Sequence, residues 1–116
     1  MTEFTHDTEE TPVLFRVARA AKRDGAEVTA VLPCEPHDMS GSSMTCYAHV
    51  GQHGGCSTGW YNTTRAARPD EYAGLKRELE SAPYGYRLKV YKRLTAPLRA
   101  KFLAELRRLR DLGANQ

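Results

Sequence analysis

Val13, Phe15 and Val17 alternate with Leu14, Arg16 and Ala18, a period of two that predicts a first strand with its odd face inward. Asp24-Gly25 signals a turn, because glycine accepts positive φ without a Cβ clash. The β-branched run Val28 to Leu32 then predicts a second strand, paired with the first as a hairpin. Pro33 to Ser43 holds two prolines, a glycine and three serines and is expected to be a loop. Strand character resumes over Met44 to Val50 and is expected to end at Gly51, Gly54 and Gly55. Gly59 to Arg65 carries Trp60, Tyr61, Thr63 and Thr64, which predicts a fourth strand.

The helical signals lie further on. Pro69 suits a first helical turn, where its missing N–H is not needed, and Asp70 and Glu71 complement the positive end of the helix dipole. Tyr72, Leu75, Leu79 and Ala82 then mark one face, until Pro83 and Gly85 stop the helix. Tyr86, Leu88 and Val90 alternate with Arg87, Lys89 and Tyr91, predicting a strand with its even face buried. Thr95 can cap a last helix with the stripe Leu98, Phe102, Leu106 and Leu109, widened by Leu103 and Leu112 and ended by Gly113. Strands first and helices mostly later predict an α+β fold. The expected architecture is a small, mainly antiparallel sheet of three to four strands, with two helices near 69–82 and 96–112 packed on one side of it.

At 116 residues the chain has room for one core, expected over 13–116 behind a flexible acidic tail at 1–12. Composition is that of an ordinary globular domain, 41% hydrophobic and 27% charged. No apolar run approaches the ~18 residues of a membrane span, so no membrane partner is expected. The N-terminus has neither the basic and apolar regions of a signal peptide nor the character of a transit peptide. A cytoplasmic location with three reduced cysteines is therefore expected, with the Asn62-Thr63-Thr64 sequon left unglycosylated. The net charge of +3 is unevenly laid out: residues 1–12 carry four acids and no Lys or Arg, and 13–83 are neutral. Residues 84–116 carry nine basic groups against Glu105 and Asp111, a net of +7. Such a region attracts polyanions through its field, although charge runs are commonly solvated faces.

Chemically capable residues concentrate between Cys34 and Cys56, a window with all three cysteines (Cys34, Cys46, Cys56) and His37, His49 and His53. Cys34-x2-His37 with His53-x2-Cys56 has the spacing of a two-knuckle structural zinc site, and zinc is the one cofactor this pattern suggests. Cys46-x2-His49 with His53-x2-Cys56 is the weaker set, because residues three apart on a strand point to opposite faces. Against zinc stand Pro36 inside the first pair, glycines that a tight turn explains equally well, and the habit of cysteine to serve as a small core residue. His49 and His53, four apart across a glycine bend, could also converge as an acid–base pair, the catalytic residues if the chain is an enzyme. The plainer alternative is that His49 packs on the sheet while His53 decorates a turn. G-x-S-x-G, a P-loop and paired carboxylates are all lacking.

Arg87, Lys89, Tyr91 and Arg93 on the outward face of the last strand, with Arg99, Lys101, Arg107, Arg108 and Arg110, form a candidate basic stripe with an aromatic for stacking. No RRM, KH or helix-turn-helix pattern accompanies it, so nucleic-acid binding here would be electrostatic. Val13 to Arg16, Ala30 to Pro33, Tyr47 to Gly54 with its His-Val-Gly-Gln-His-Gly motif, Pro69 to Tyr72 with Leu75, Glu78, Leu79 and Glu80, and Gly85 to Val90 also form a recognisable set. Over about residues 13–93 the chain resembles a family of small uncharacterised proteins of bacterial genomes, prophages and mobile elements. The resemblance brings no activity. It implies an accessory or phage-type role, including modulation of a host or rival defence system. Taken together, a non-enzymatic binding protein is expected, acting through His49, Gln52, His53 and Trp60 on an acidic protein partner. The alternatives are an electrostatic nucleic-acid-binding module and a small histidine-dependent phosphodiester hydrolase.

Overall fold

The computed structural model describes residues 10–19, 27–48 and 53–114, with His53 entering by its backbone alone. Among the described residues six strands and three helices follow in the order β1 (Thr11–Ala18), β2 (Thr29–Pro36), β3 (Ser43–Tyr47), β4 (His53–Ser57), α1 (Thr58–Tyr61), β5 (Thr64–Ala66), α2 (Pro69–Glu80), β6 (Leu88–Tyr91) and α3 (Ala96–Ala114). The fold is α+β, with more strands than the three to four expected. Across the sheet the order is β4-β3-β2-β1-β5, with antiparallel neighbours. The far edge of β1 is shared: β5 pairs with its C-terminal half, and β6 runs parallel to its N-terminal half, aligning Val13 with Val90. Among the described residues no helix is long and apolar enough to cross a membrane.

The central place of β1 explains its burial. Val13, Leu14, Phe15, Arg16 and Val17 are all buried, so both faces are inside rather than the odd face alone. The two helices accordingly lie on opposite faces, not on one side. Val13, Phe15, Val17, Ala30, Leu32 and Tyr47 pack against Leu75 and Leu79 of α2. Leu14, Val31, Met44 and Cys56 pack against Phe102 and Leu106 of α3. Each such Leu or Phe contributes about 1.5–3 kcal/mol by leaving water. Phe15 stacks on Tyr72 at 4.4 Å between ring centroids, and the Tyr47 hydroxyl donates to the Glu78 carboxylate, fastening β3 to α2.

Both long helices lie where the periodicity predicts them. Pro69 opens α2, and the Glu71 carboxylate accepts from the Arg68 backbone N–H at 2.8 Å, satisfying a donor at the cap. Gly85 takes φ +65°, in the left-handed region, just past its end. Ala82 is exposed, beyond the helix. On α3 the stripe narrows to Leu98, Phe102 and Leu106, while Leu103 and Leu112 are 47% and 50% exposed and do not widen it.

Several strand boundaries differ from expectation for identifiable reasons. β1 starts at Thr11, so the expected tail gives up its last two residues to a strand. β2 continues through Pro33 to Pro36, because the register shifts between Leu32 and Pro36 and the ladder there needs no proline N–H. Gly54 and Gly55 lie within β4 rather than ending a strand. Gly55 sits at a close approach: a Cβ there would lie 2.4 Å from Cδ2 of His37, so the ring would have to shift to admit one. Thr58 to Tyr61 form a helical turn in place of the expected strand, because the Ser57 hydroxyl accepts the Trp60 N–H at 3.0 Å; a strand begins only at Thr64. The Asp24-Gly25 turn falls outside the described residues.

Candidate functional site

Strand parity puts Arg16 of β1, Thr29 of β2, and Cys46 with Ala48 at the end of β3 on the α3 side of the sheet. α3 covers Leu14, Val31 and Met44 on this face but does not close over that row. α1 stands there instead and carries Trp60, which is half-buried. On one side of Trp60 lies an open groove of about 570 Å³ bordered by Thr29, Cys46, Ala48, Cys56 and Ser57. On the other lies a recess of about 210 Å³ bordered by Arg16, Ala18, Glu27 and Thr29. Trp60 and Thr29 belong to both, so the two form one surface divided by the indole.

The turn that presents Trp60 is braced from below. Arg16 is 7% exposed and donates from Nε to Thr64 Oγ1 at 2.9 Å, from Nη2 to the Thr64 carbonyl at 2.9 Å and from Nη1 to the Lys92 carbonyl at 2.8 Å. Its guanidinium lies 4.3 Å from the centroid of the Tyr61 ring. Burial pulls its pKa down, opposed in part by its charge interaction with Tyr61. The Tyr61 hydroxyl accepts the Leu94 N–H at 2.8 Å, and the Trp60 carbonyl accepts from Thr63 Oγ1 at 2.7 Å. Arg16 therefore joins β1, β5, α1 and the lead into α3 beneath the indole.

Two thiols border the groove. Cys46 and Cys56 lie on neighbouring strands and on the same face. The Cys46 thiol is lowered to about 7, because the adjacent Cys56 thiol hydrogen-bonds its thiolate against the opposing effect of burial. Cys56 is pushed up by the same contact and by its own burial. Cys34 is elsewhere: its Sγ points to the Leu98 carbonyl at 3.7 Å, and burial raises it.

Of the residues singled out by sequence, Trp60 is at the centre of this surface. His49 and Gln52 lie outside the described residues, as does the side chain of His53, whose backbone pairs with Tyr47. The His49–His53 pair is thus not placed. The zinc set is not assembled by its described members: Cys34 turns to α3, the exposed His37 ring lies over Gly55, and Cys56 is buried beside Cys46. Among the described residues no three His, Cys, Asp or Glu side chains converge as metal ligands.

The basic stripe is partly consumed by structure. Tyr91 packs on the α3-side core rather than facing outward, with Lys89 over its ring at 5.7 Å. Arg87 and Arg93 flank β6 rather than belonging to it. Arg99 donates to the Gly41 carbonyl at 2.9 Å and stacks on Phe102, Arg108 pairs with Glu105, and Arg110 donates to the Met39 carbonyl. Lys89, Lys92 and Arg93 are exposed; the Lys92 carbonyl accepts from Arg16, while the residue itself borders a separate recess with Phe15, Ala67 and Tyr72 on the α2 side.

Sequence reasoning missed Arg16 and the Cys46–Cys56 pair. A lone arginine inside an otherwise apolar strand signals the first. Pairing of 44 with 56 about a hairpin centred on residue 50 would have signalled the second. Comparison with protein-family models, with curated proteins and with solved structures found no match.

Proposed function

We propose that this chain is a small accessory binding protein, of the kind its sequence resembles, that docks a protein partner on the Trp60 surface. The observation that carries the reading is a half-buried tryptophan between two open recesses, on a sheet face that α3 leaves uncovered. Tryptophan is among the residues that most often dominate binding energy, and here it stands on a turn braced by buried Arg16. The test is affinity purification from cells with the wild type, Trp60→Ala and the control Arg77→Ala, with melting temperatures measured in parallel. A protein retained by the wild type and Arg77→Ala, and lost with Trp60→Ala at unchanged melting temperature, supports the reading. The same captured set with all three chains, or a loss that merely follows a fall in stability, refutes it.

Lys89 over Tyr91, beside exposed Lys92 and Arg93, favours nucleic acid as a second reading. Fluorescence anisotropy on single-stranded DNA across a salt series separates the two. Binding that falls with salt by about 0.7 log unit per cation per decade, and that drops with Lys92→Glu, would select this second reading.

A further inference from the structure

The register of β3 and β4 aligns Met44 with Cys56 and Cys46 with Gly54, so Cys46 and Cys56 are diagonal neighbours. Diagonal Cα atoms in an antiparallel pair are about 7–8 Å apart. That lies outside the range in which two cysteines bridge without backbone movement, yet their thiols can still meet. Both border the groove of about 570 Å³, which also offers the hydroxyls of Ser43, Ser57 and Thr29 and the Trp60 ring.

We propose that Cys46 is a nucleophilic thiol that takes up small-molecule disulfides by exchange, with Cys56 as its hydrogen-bond donor and the groove as receptacle for the incoming half. The Cys46 thiolate attacks one sulfur of R–S–S–R. A Cys46–S–S–R bond forms as the original S–S bond breaks, and R–S⁻ leaves with the electron pair, taking a proton from solvent when R is an alkyl group and staying ionised when it is the aromatic thiolate of DTNB. One disulfide is consumed and one is made, so no other oxidant is needed. Cys56 keeps its proton throughout. Because the diagonal geometry disfavours closure, the mixed disulfide on Cys46 is the end product rather than an intermediate. Cys46 is the half-buried member of the pair and Cys56 the buried one, so Cys46 is the thiol that a disulfide in the groove can reach, and its neighbour's hydrogen bond favours the thiolate. This inference does not rest on partner binding, since the same thiols would border the groove without any partner.

The test uses the folded full-length chain at pH 7 with two probes, the aromatic disulfide DTNB and glutathione disulfide, followed by peptide mapping of the wild type. The expected result is a fast phase of about one equivalent that maps to Cys46. It should be lost in Cys46→Ser, retained in Cys34→Ser and slowed about fivefold in Cys56→Ala. That factor reflects a smaller thiolate fraction, partly offset by greater intrinsic nucleophilicity. Mapping needs no variant, so it stands even if a substitution impairs folding. A fast adduct on Cys34, reaction with both probes only on unfolding, or two equivalents released with closure of a Cys46–Cys56 disulfide would each overturn the proposal.

Discussion

Glu71→Gln is expected to destabilise the protein by about 2 kcal/mol at pH 7, and by much less at pH 3. The Glu71 side chain is 6% exposed, and its two oxygens accept from Arg65 Nη1 and Nη2 at 2.9 Å each. One of them also accepts the Arg68 backbone N–H at the start of α2. The Arg65 hydrogen bonds, then the cap and the nearby cations, hold the carboxyl at about 2 instead of 4.5. Such a fall has a ceiling of about 3.4 kcal/mol, at about 1.36 kcal/mol for each tenfold change in acidity. Arg65 is 30% exposed, and solvent screening lowers that ceiling. Glutamine keeps one acceptor oxygen for Arg68 and one Arg65 nitrogen, but its NH2 cannot accept from the other, so the loss is the charge and one arm of a bidentate pair, where hydrogen bonds to charged groups contribute about 1.5–3 kcal/mol.

The sign follows from a depressed acid. Its stabilisation is complete above the unfolded value near 4.5 and is lost as pH falls toward about 2. More than half should be gone by about pH 3. Urea titrations of the wild type and Glu71→Gln at pH 7 and pH 3, followed by circular dichroism, measure the gap directly. A gap that is the same at both pH values would show that the loss comes from packing, and the electrostatic reasoning would be wrong.

Gly55→Ala should cost about 1 kcal/mol, because its Cβ would meet His37 Cδ2 at 2.4 Å and Ser43 Oγ at 2.8 Å, both on side chains able to move. In a His37→Ala background the cost should fall by at least about 0.5 kcal/mol, and strict additivity in the double-mutant cycle would contradict the contact. Arg16→Met should lower stability by about 2–4 kcal/mol, since it leaves the Thr64 and Lys92 carbonyls without their charged donor. It should also shift the fluorescence of Trp60, the chain's one tryptophan, in the folded state. A lower melting temperature with unchanged emission would remove Arg16 as the brace of that turn.

What was legible in the sequence depended on the length over which a pattern could repeat. α2 and α3 are long enough for their spacing to show, and Pro69, Asp70 and Glu71 mark a start that the structure keeps. α1 is a single turn held by Ser57, with no length over which a helical period could appear, and its Trp-Tyr pair reads as strand. In β1 the alternation was real but incomplete as a signal: Leu14 belongs to a second core, which moves α3 to the opposite face. The prolines of β2 and the glycines of β4 are strand breakers by composition, yet a register shift and a packed histidine ring accommodate them. For the site, Trp60 was visible as an aromatic. The groove was not, because it needs Thr29, Cys46 and Cys56 brought to one face by a pairing register that composition does not encode.

The two faces of the sheet bear on function through their difference. The α2 side is closed by apolar contacts and by Tyr47 bonded to Glu78. On the other side, the row beyond α3 is Arg16, Thr29, Cys46 and Ala48, neither apolar enough to be core nor charged enough to be a solvated face. A face meant only for water has little reason to hold a tryptophan, and a core has little reason to hold an arginine whose bonds among the described residues go to carbonyls and a hydroxyl. Both fit a surface that is wet in the free protein and covered in a complex. In the binding proposed above Trp60 would supply buried area, and Arg16, already desolvated by its three carbonyl and hydroxyl partners, would hold that tryptophan in place without itself needing to reach the partner.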